Sequence, residues 1–128
     1  MIQLSQTSNY YLIPTGRTTF CIYKAMYNQR DQVVIVWMAT KEGLSHVERF
    51  YFRFKDGRFN QPGLNAFTAF ARAVMGDNAL ENVDAEALVG KFVSANVIHK
   101  KKPNKNDPTR TVTLVSLKSF AKANNFDA

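Results

Sequence analysis

The 128-residue sequence is poor in the residue types on which several common kinds of protein depend. It has one cysteine, Cys21, which excludes an internal disulfide and is typical of a reducing compartment. Its two histidines, His46 and His99, are not at the close spacing to each other or to Cys21 that zinc sites favour. The sequence therefore predicts no disulfide scaffold, no metal site and no cofactor.

Long apolar runs are also missing. No run approaches the roughly 18–20 residues that a membrane helix needs. The first residues lack the basic start and the apolar stretch of a signal peptide. We therefore expect a soluble, cytoplasmic protein that does not bind membranes.

The motifs of common enzymes are absent as well. There is no Gly-x-x-x-x-Gly-Lys-Ser/Thr phosphate loop and no Gly-x-Ser-x-Gly nucleophile motif. The nearest approach to a cluster of acids is the scattered carboxylates of 77–86, which are typical of helix starts and solvated loops. The sequence predicts a protein that is not an enzyme, and a small enzyme acting on nucleic acid is disfavoured for the same reason.

Negative charge is scarce and unevenly distributed. The chain has 10 acidic against 17 basic residues, a formal net charge of +7. Residues 77–86 contain four acids and no cation, whereas 91–110 contain six cations and only Asp107 as an acid. Such segregation is what a binding surface for a polyanion requires, and solubility does not require it.

The hydrophobic pattern predicts three strands in the first half of the chain, over 17–27, 33–38 and 47–55. The third alternates most clearly, because successive side chains leave a strand on opposite faces. Phe50, Phe52 and Phe54 are predicted to face the core. The opposite face would carry a row without any acid, namely Arg49, Tyr51, Arg53 and Lys55.

The second half predicts a helix over 62–75, ended by Gly76, and a short capped turn over 84–90. Two strands, 91–99 and 111–117, follow. We expect a leader over 1–11, one domain over 12–118 and a tail over 119–128, which is polar and forms either a short helix or no fixed structure. The predicted fold is mainly β with one or two helices, in the order β-β-β-α-β-β. This is the element order of the five-stranded oligonucleotide/oligosaccharide-binding (OB) Greek-key barrel.

An OB barrel binds with strands 2 and 3 and with the loops that join strands 1–2 and 4–5. The segment between the last two predicted strands is rich in cations, and Trp37 lies on the second strand. Aromatic faces for stacked bases and cations for phosphates are what single-stranded nucleic acid requires. The candidate binding residues are Trp37, Arg49, Tyr51, Arg53, Lys55, Lys100, Lys101, Lys102, Lys105 and Arg110.

Each candidate has an alternative interpretation. Trp37 lies in a run so apolar that it could pack in the core. Tyr51 could simply cover a neighbouring strand, and the lysines could form a solvated loop. Arg49 and Arg53 could pair with Glu48 or Glu42 at the surface.

Gly90-Lys91, followed by Ala95, Val97 and His99, a basic segment and then Thr111, Thr113 and Val115, resembles small single-stranded-DNA-binding proteins of bacteriophages and mobile elements. The turn Pro14-Thr15-Gly16 before Phe20, Ile22 and Lys24-Ala25, and the helical Asn65-Ala66-Phe67, are similar in style. The resemblance implies an OB fold that coats transient single strands in replication or recombination. Such proteins commonly end in an acidic tail, whereas the last residues here contain only Asp127 as an acid.

We therefore expect non-catalytic, largely sequence-independent binding of single-stranded DNA, with RNA left open as a ligand. Replication or recombination proteins are expected partners, and a homodimer paired through the edge strand 111–117 remains open. The alternative function is a phage-encoded interaction module that uses the basic face on an acidic host protein. A pull-down after nuclease treatment separates these two hypotheses, because a protein partner would survive the nuclease.

Overall fold

The computed structural model describes residues 12–126, so the predicted leader 1–11 and the last two residues of the predicted tail lie outside it. The strands are β1 (Gly16–Asn28), β2 (Val33–Ala39), β3 (Ser45–Tyr51), β4 (Phe92–Pro103) and β5 (Thr111–Ala123). One α-helix, α1 (Gln61–Met75), and a 3₁₀ turn, Ala85–Leu88, lie between β3 and β4. The mainly β class and the order β-β-β-α-β-β are confirmed. No helix within residues 12–126 is long and apolar enough to cross a membrane.

All five strands belong to one open antiparallel sheet in the order β3-β2-β1-β4-β5. The central strand β1 has two partners: residues 16–21 pair with β4, and residues 21–28 pair with β2. A bulge between Ile22 and Lys24 lies just after this change of partner. Because a bulge bends a strand and increases its twist, β1 can belong to both halves of a strongly curved sheet.

The core lies between the inner face of this sheet and α1. The largest fully buried side chains include Phe20, Ile22 and Met38 from the sheet and Phe70 from the helix. The Phe70 ring lies 5.1 Å from Phe50 on β3 and 4.9 Å from Phe120 on β5. Phe70 thus links the two outermost strands of the sheet, which do not pair with each other among the described residues.

The prediction that three phenylalanines of the third strand face the core is wrong for one of them. Phe50 is buried and Phe52 is half-buried, but Phe54 is exposed. The reason is that β3 ends at Tyr51, and residues 52–60 form a small hairpin in which Arg53 bridges Phe59. The hairpin turns at Asp56-Gly57, where Gly57 has a φ of 90°; an Asp-Gly pair favours such a turn.

The start of α1 is fixed to the end of β3 by Asn60. Its side-chain oxygen accepts a hydrogen bond from the Gly63 N–H (3.0 Å), and its Nδ2 donates to the Tyr51 carbonyl (2.9 Å). Gly63 is required beside this contact, since a Cβ at that position would lie 1.9 Å from the Tyr51 carbonyl oxygen. The helix therefore begins at Gln61, one residue before the predicted start at Pro62.

We expect Gly63→Ala to destabilise the protein by about 1–3 kcal/mol, the usual cost of overpacking. The sign of this change in stability tests the contact, because replacing glycine by alanine in a helix normally stabilises it by about 1 kcal/mol. Urea unfolding of wild type and variant measures the difference, with Ala66→Gly on the exposed side of the same helix as the control for helix propensity. A variant more stable than the wild type would contradict the contact.

The last strand is longer than predicted. β5 continues to Ala123, so residues 119–123 of the predicted tail belong to the sheet. A bulge hides this continuation in the sequence: the register shifts opposite 94–96, and Ser119 adopts a φ of 58°, which breaks the alternation. Beyond the strand, the Phe126 ring packs edge-on against Phe92 with a centroid distance of 5.0 Å.

Candidate nucleic-acid interface

The outer face of the sheet, which points away from α1, carries a cluster of aromatic, cationic and apolar side chains on β1, β2 and β3, most of them exposed. The register places Lys24 opposite Trp37 and Trp37 opposite Val47; the next row contains Met26, Ile35 and Arg49. Several of the neighbours that alternate with these residues are buried, namely Ala25, Val36, Met38 and Phe50. We call this cluster the aromatic platform and define it as Tyr23, Lys24, Met26, Trp37, Arg49 and Tyr51.

Trp37 does not belong to the buried core. It is half-buried on the outer face, and the ammonium group of Lys24 lies 4.7 Å from the centroid of its ring. This cation–π contact holds a positive charge over an aromatic face. The pattern of the sequence could not reveal it, because the bulge in β1 removes the regular alternation that would have placed Lys24 on the outer face.

Tyr51 and Arg49 extend the platform on the edge strand β3. Tyr51 is 51% exposed, so its ring is available to a ligand. Arg49 makes no ion pair with any residue of 12–126. The predicted alternative, pairing with Glu48, does not occur, because Glu48 lies opposite buried Val36 and pairs with His46 at 2.9 Å.

Arg53 and Lys55, predicted to continue the same row, lie instead on the hairpin of residues 52–60. Arg53 donates from Nε to Gln32 Oε1 (3.1 Å), and its guanidinium carbon lies 5.5 Å from the Phe59 ring centroid. Lys55 lies in the turn. The predicted row of four therefore divides into two residues on the sheet and two beyond its end.

This hairpin also presents two exposed rings that sequence reasoning missed, Phe54 and Phe59. The guanidinium carbon of Arg58 lies 5.2 Å from the Phe54 ring centroid. Asp56 accepts hydrogen bonds from the backbone N–H and the guanidinium of Arg58, which lower the pKa of its carboxyl. The repeated Arg-Phe on either side of Asp-Gly is the signal that could have identified this arrangement.

Three of the five cations between the last two predicted strands lie on a strand and not in a loop. Lys100, Lys101 and Lys102 belong to β4 and pair with Leu114, Thr113 and Val112 of β5. We call residues 98–114 the lysine hairpin. Because a strand alternates, Lys100 and Lys102 lie on the same side as the outer-face residues Asn96 and Ile98, and Lys101 lies on the other. The predicted strand 91–99 is therefore too short, because β4 continues through these lysines to Pro103.

The tip of the lysine hairpin is organised by its single acid. Asp107 Oδ1 accepts from the Thr109 hydroxyl (2.6 Å), and Oδ2 pairs with Arg110 Nε at 3.4 Å. Arg110 is thus partly neutralised. The four lysines, 100, 101, 102 and 105, make no ion pair with residues of 12–126 and are exposed.

The platform and the lysine hairpin lie on the same face of the sheet but towards opposite ends of β1. Gly16, at the start of β1, pairs with Val97, so the hairpin projects beyond that end. Cys21 pairs with Phe92, which is eight residues from Lys100, or about 26 Å along an extended strand. A ligand must therefore extend across the face to contact both groups.

Between the two groups, Arg17 stabilises the sheet. Its guanidinium donates to Ser94 Oγ (2.9 Å), to the Ser94 carbonyl and to the Ser119 carbonyl at the β5 bulge. It thereby joins β1 to both β4 and β5. We assign Arg17 a structural role, since both terminal nitrogens of its guanidinium donate hydrogen bonds within the protein.

The charged side chains that the strands place on this face are all positive. The five strands contain a single acidic residue, Glu48, and it faces inward. The acids of 77–86 lie outside the strands, and Asp84 and Glu86 line a cavity of about 390 Å³ that also includes Phe67 of α1. A polyanion on the outer face would therefore meet cations and rings, with Asp107 at the tip of the lysine hairpin as the one carboxylate beside them.

No model of a known protein family matches the chain, and no curated protein matches it significantly.

Proposed function

We propose that this protein binds single-stranded nucleic acid, in the first place DNA, without catalysis and without reading the base sequence. One observation carries the proposal: the outer face of the sheet combines exposed rings with cations that make no ion pair, and no strand residue on that face is acidic. Rings on the platform would stack on bases, and the lysine hairpin would neutralise phosphates. Aromatic stacking is sequence-tolerant because every base has a π face.

The topology supports an OB-type barrel as the scaffold. The strand order β3-β2-β1-β4-β5, with a long β1 shared between β2 and β4, fits a five-stranded Greek-key barrel that is partly open between β3 and β5. α1 contacts both of those strands. The platform includes strands 2 and 3, and the lysine hairpin is the connection between strands 4 and 5, which are the regions where this fold binds.

The cellular role follows from the resemblance described above. A protein that coats transient single strands of a bacteriophage or mobile element during replication or recombination needs affinity without sequence preference. The platform offers stacking faces, and only Arg49 on it has the forked donor group suited to bidentate base reading. We therefore propose general coating, in the cytoplasm, rather than recognition of a particular site.

Fluorescence titration with oligo-dT tests this function directly, because the sole tryptophan, Trp37, lies in the proposed site. We expect quenching and micromolar or tighter affinity at low salt. If about five phosphates are contacted, log affinity falls with log salt at a slope of about −3 to −4. Parallel titrations with duplex DNA and single-stranded RNA define the ligand class. Absence of binding at low salt, or tighter binding to duplex DNA, would contradict the proposal.

A further inference from the structure

The two edges of the sheet differ in how well they are protected against pairing with another strand. The edge strand β3 has seven residues, among them His46, Glu48 and Arg49. The other edge, residues 111–117 of β5, contains no charged residue and no proline, and within residues 12–126 the strand pairs only with β4. Natural sheets usually protect an edge with charges, proline or a bulge. Here the bulge comes only after this segment, at Ser119.

The same segment exposes large apolar side chains. Val112 and Leu114 are 39% and 42% exposed, although both lie in the middle of a hairpin arm. They occupy the outer side of the strand, where their cross-strand neighbours are Lys102 and Lys100. An unprotected edge and exposed apolar side chains together are typical of a surface that another strand covers.

We propose that residues 111–117 pair antiparallel with the same residues of a second copy, about a two-fold axis at Leu114. In that register Leu114 faces its own counterpart, Val112 faces Ser116 of the second copy, and Thr113 faces Val115. One contact therefore covers the exposed leucines of both copies, and β-branched residues meet on the other face. Self-pairing is the isologous arrangement that closes after two copies.

The lysines do not prevent this pairing at physiological salt. Lys100 and its counterpart would be three strand spacings apart, about 14 Å. That distance exceeds the Debye length of about 8 Å at 0.15 M ionic strength. The repulsion is thus screened, and dimerisation should strengthen as salt rises, which distinguishes this interface from one held by opposite charges.

The dimer itself does not depend on the proposed function, but its effect on nucleic-acid binding rests on that function. Pairing would join two lysine hairpins into one four-stranded ribbon whose outer face carries Lys100 and Lys102 from each copy. A single strand of nucleic acid could then bridge both copies. Seven residues of edge form a small interface, so we expect a weak, micromolar dimer that nucleic acid tightens.

Cysteine cross-linking tests the register. In a Cys21→Ser background, L114C should form disulfide-linked dimers under mild oxidation, because the two thiols would lie directly opposite each other. V112C is the matched control on the same strand and face: its counterpart would be about 14 Å away. We expect at least tenfold less cross-linking for V112C alone, and recovery when V112C is mixed with S116C. Equal cross-linking of L114C and V112C, or none in any sample, would overturn the proposal.

Sedimentation velocity without nucleic acid provides the second measurement. L114K should shift the dimerisation constant at least tenfold towards monomer, whereas V89K, a similarly exposed apolar residue elsewhere, should not. A wild type that stays monomeric at hundreds of micromolar and high salt would overturn the dimer. Oligo-dT binding by that monomer would show that the proposed function stands without it.

Discussion

Replacing Lys100 and Lys102 with glutamate is expected to weaken binding to oligo-dT by about 25-fold or more at 0.1 M salt. Each phosphate contact contributes about −0.7 to the slope of log affinity against log salt, so each is worth about fivefold at 0.1 M relative to 1 M. Both lysines are exposed, unpaired and on the outer side of the hairpin. The slope should also become less steep by about 1.4, and homopolymers of different bases should be affected alike.

The matched control is K91E/K122E, which changes the net charge by the same amount. Lys91 precedes β4, and Lys122 packs beside Gly76 at the end of α1, so neither belongs to the proposed surface. We expect the control to lose no more than about threefold in affinity, through the general field of the protein. Equal losses in the two variants would show that overall charge, and not the lysine hairpin, determines affinity.

Tyr51→Ala is expected to weaken binding by about 5- to 150-fold, equivalent to about 1–3 kcal/mol for one stacked base. The salt slope should remain unchanged, because no phosphate contact is lost. Since the ring is half-exposed and only the backbone carbonyl of Tyr51 accepts from Asn60, the fold should tolerate the change. Tyr51→Phe should retain most of the affinity, which identifies the ring as the active group.

Tyr27→Ala supplies the control for a lost tyrosine. Tyr27 is similarly exposed, but its ring lies 6.0 Å from Phe52 and lines the cavity beside α1. The Tyr27→Ala variant should therefore bind oligo-dT with an affinity within about threefold of the wild type. If Tyr27→Ala weakened binding as much as Tyr51→Ala, the nucleic acid would contact the helix side of the sheet, and the platform would be wrong.

The sequence predicts the regular part of this fold well. The alternation of Phe50 with Arg49 and Tyr51 follows directly from half-buried strand geometry, and the structure places those residues as expected. Gly76 ends the helix in the left-handed conformation that glycine favours. Such features depend on a few neighbouring residues, which is why the pattern alone identifies them.

The irregular features of the fold could not be predicted from the sequence. The bulges after Ile22 and near Ser119 shift the alternation by one residue, so Lys24 and Phe120 could not be assigned to a face. The strand continues through Lys100, Lys101 and Lys102 because β5 offers partners for them, although a run of lysines is typical of a loop. Phe54 was predicted to face the core because the alternation of residues along a strand does not show where the strand ends.

One measurement tests the central claim most directly: a ¹⁵N NMR titration of the protein with a short oligo-dT. The binding surface described above predicts that perturbed signals concentrate on the Trp37 indole, on Lys24, Arg49 and Tyr51, and along residues 98–114. Signals of α1 and of residues 77–90 should change little. Perturbations confined to the helix and that acidic segment, with the Trp37 indole unaffected, would contradict it.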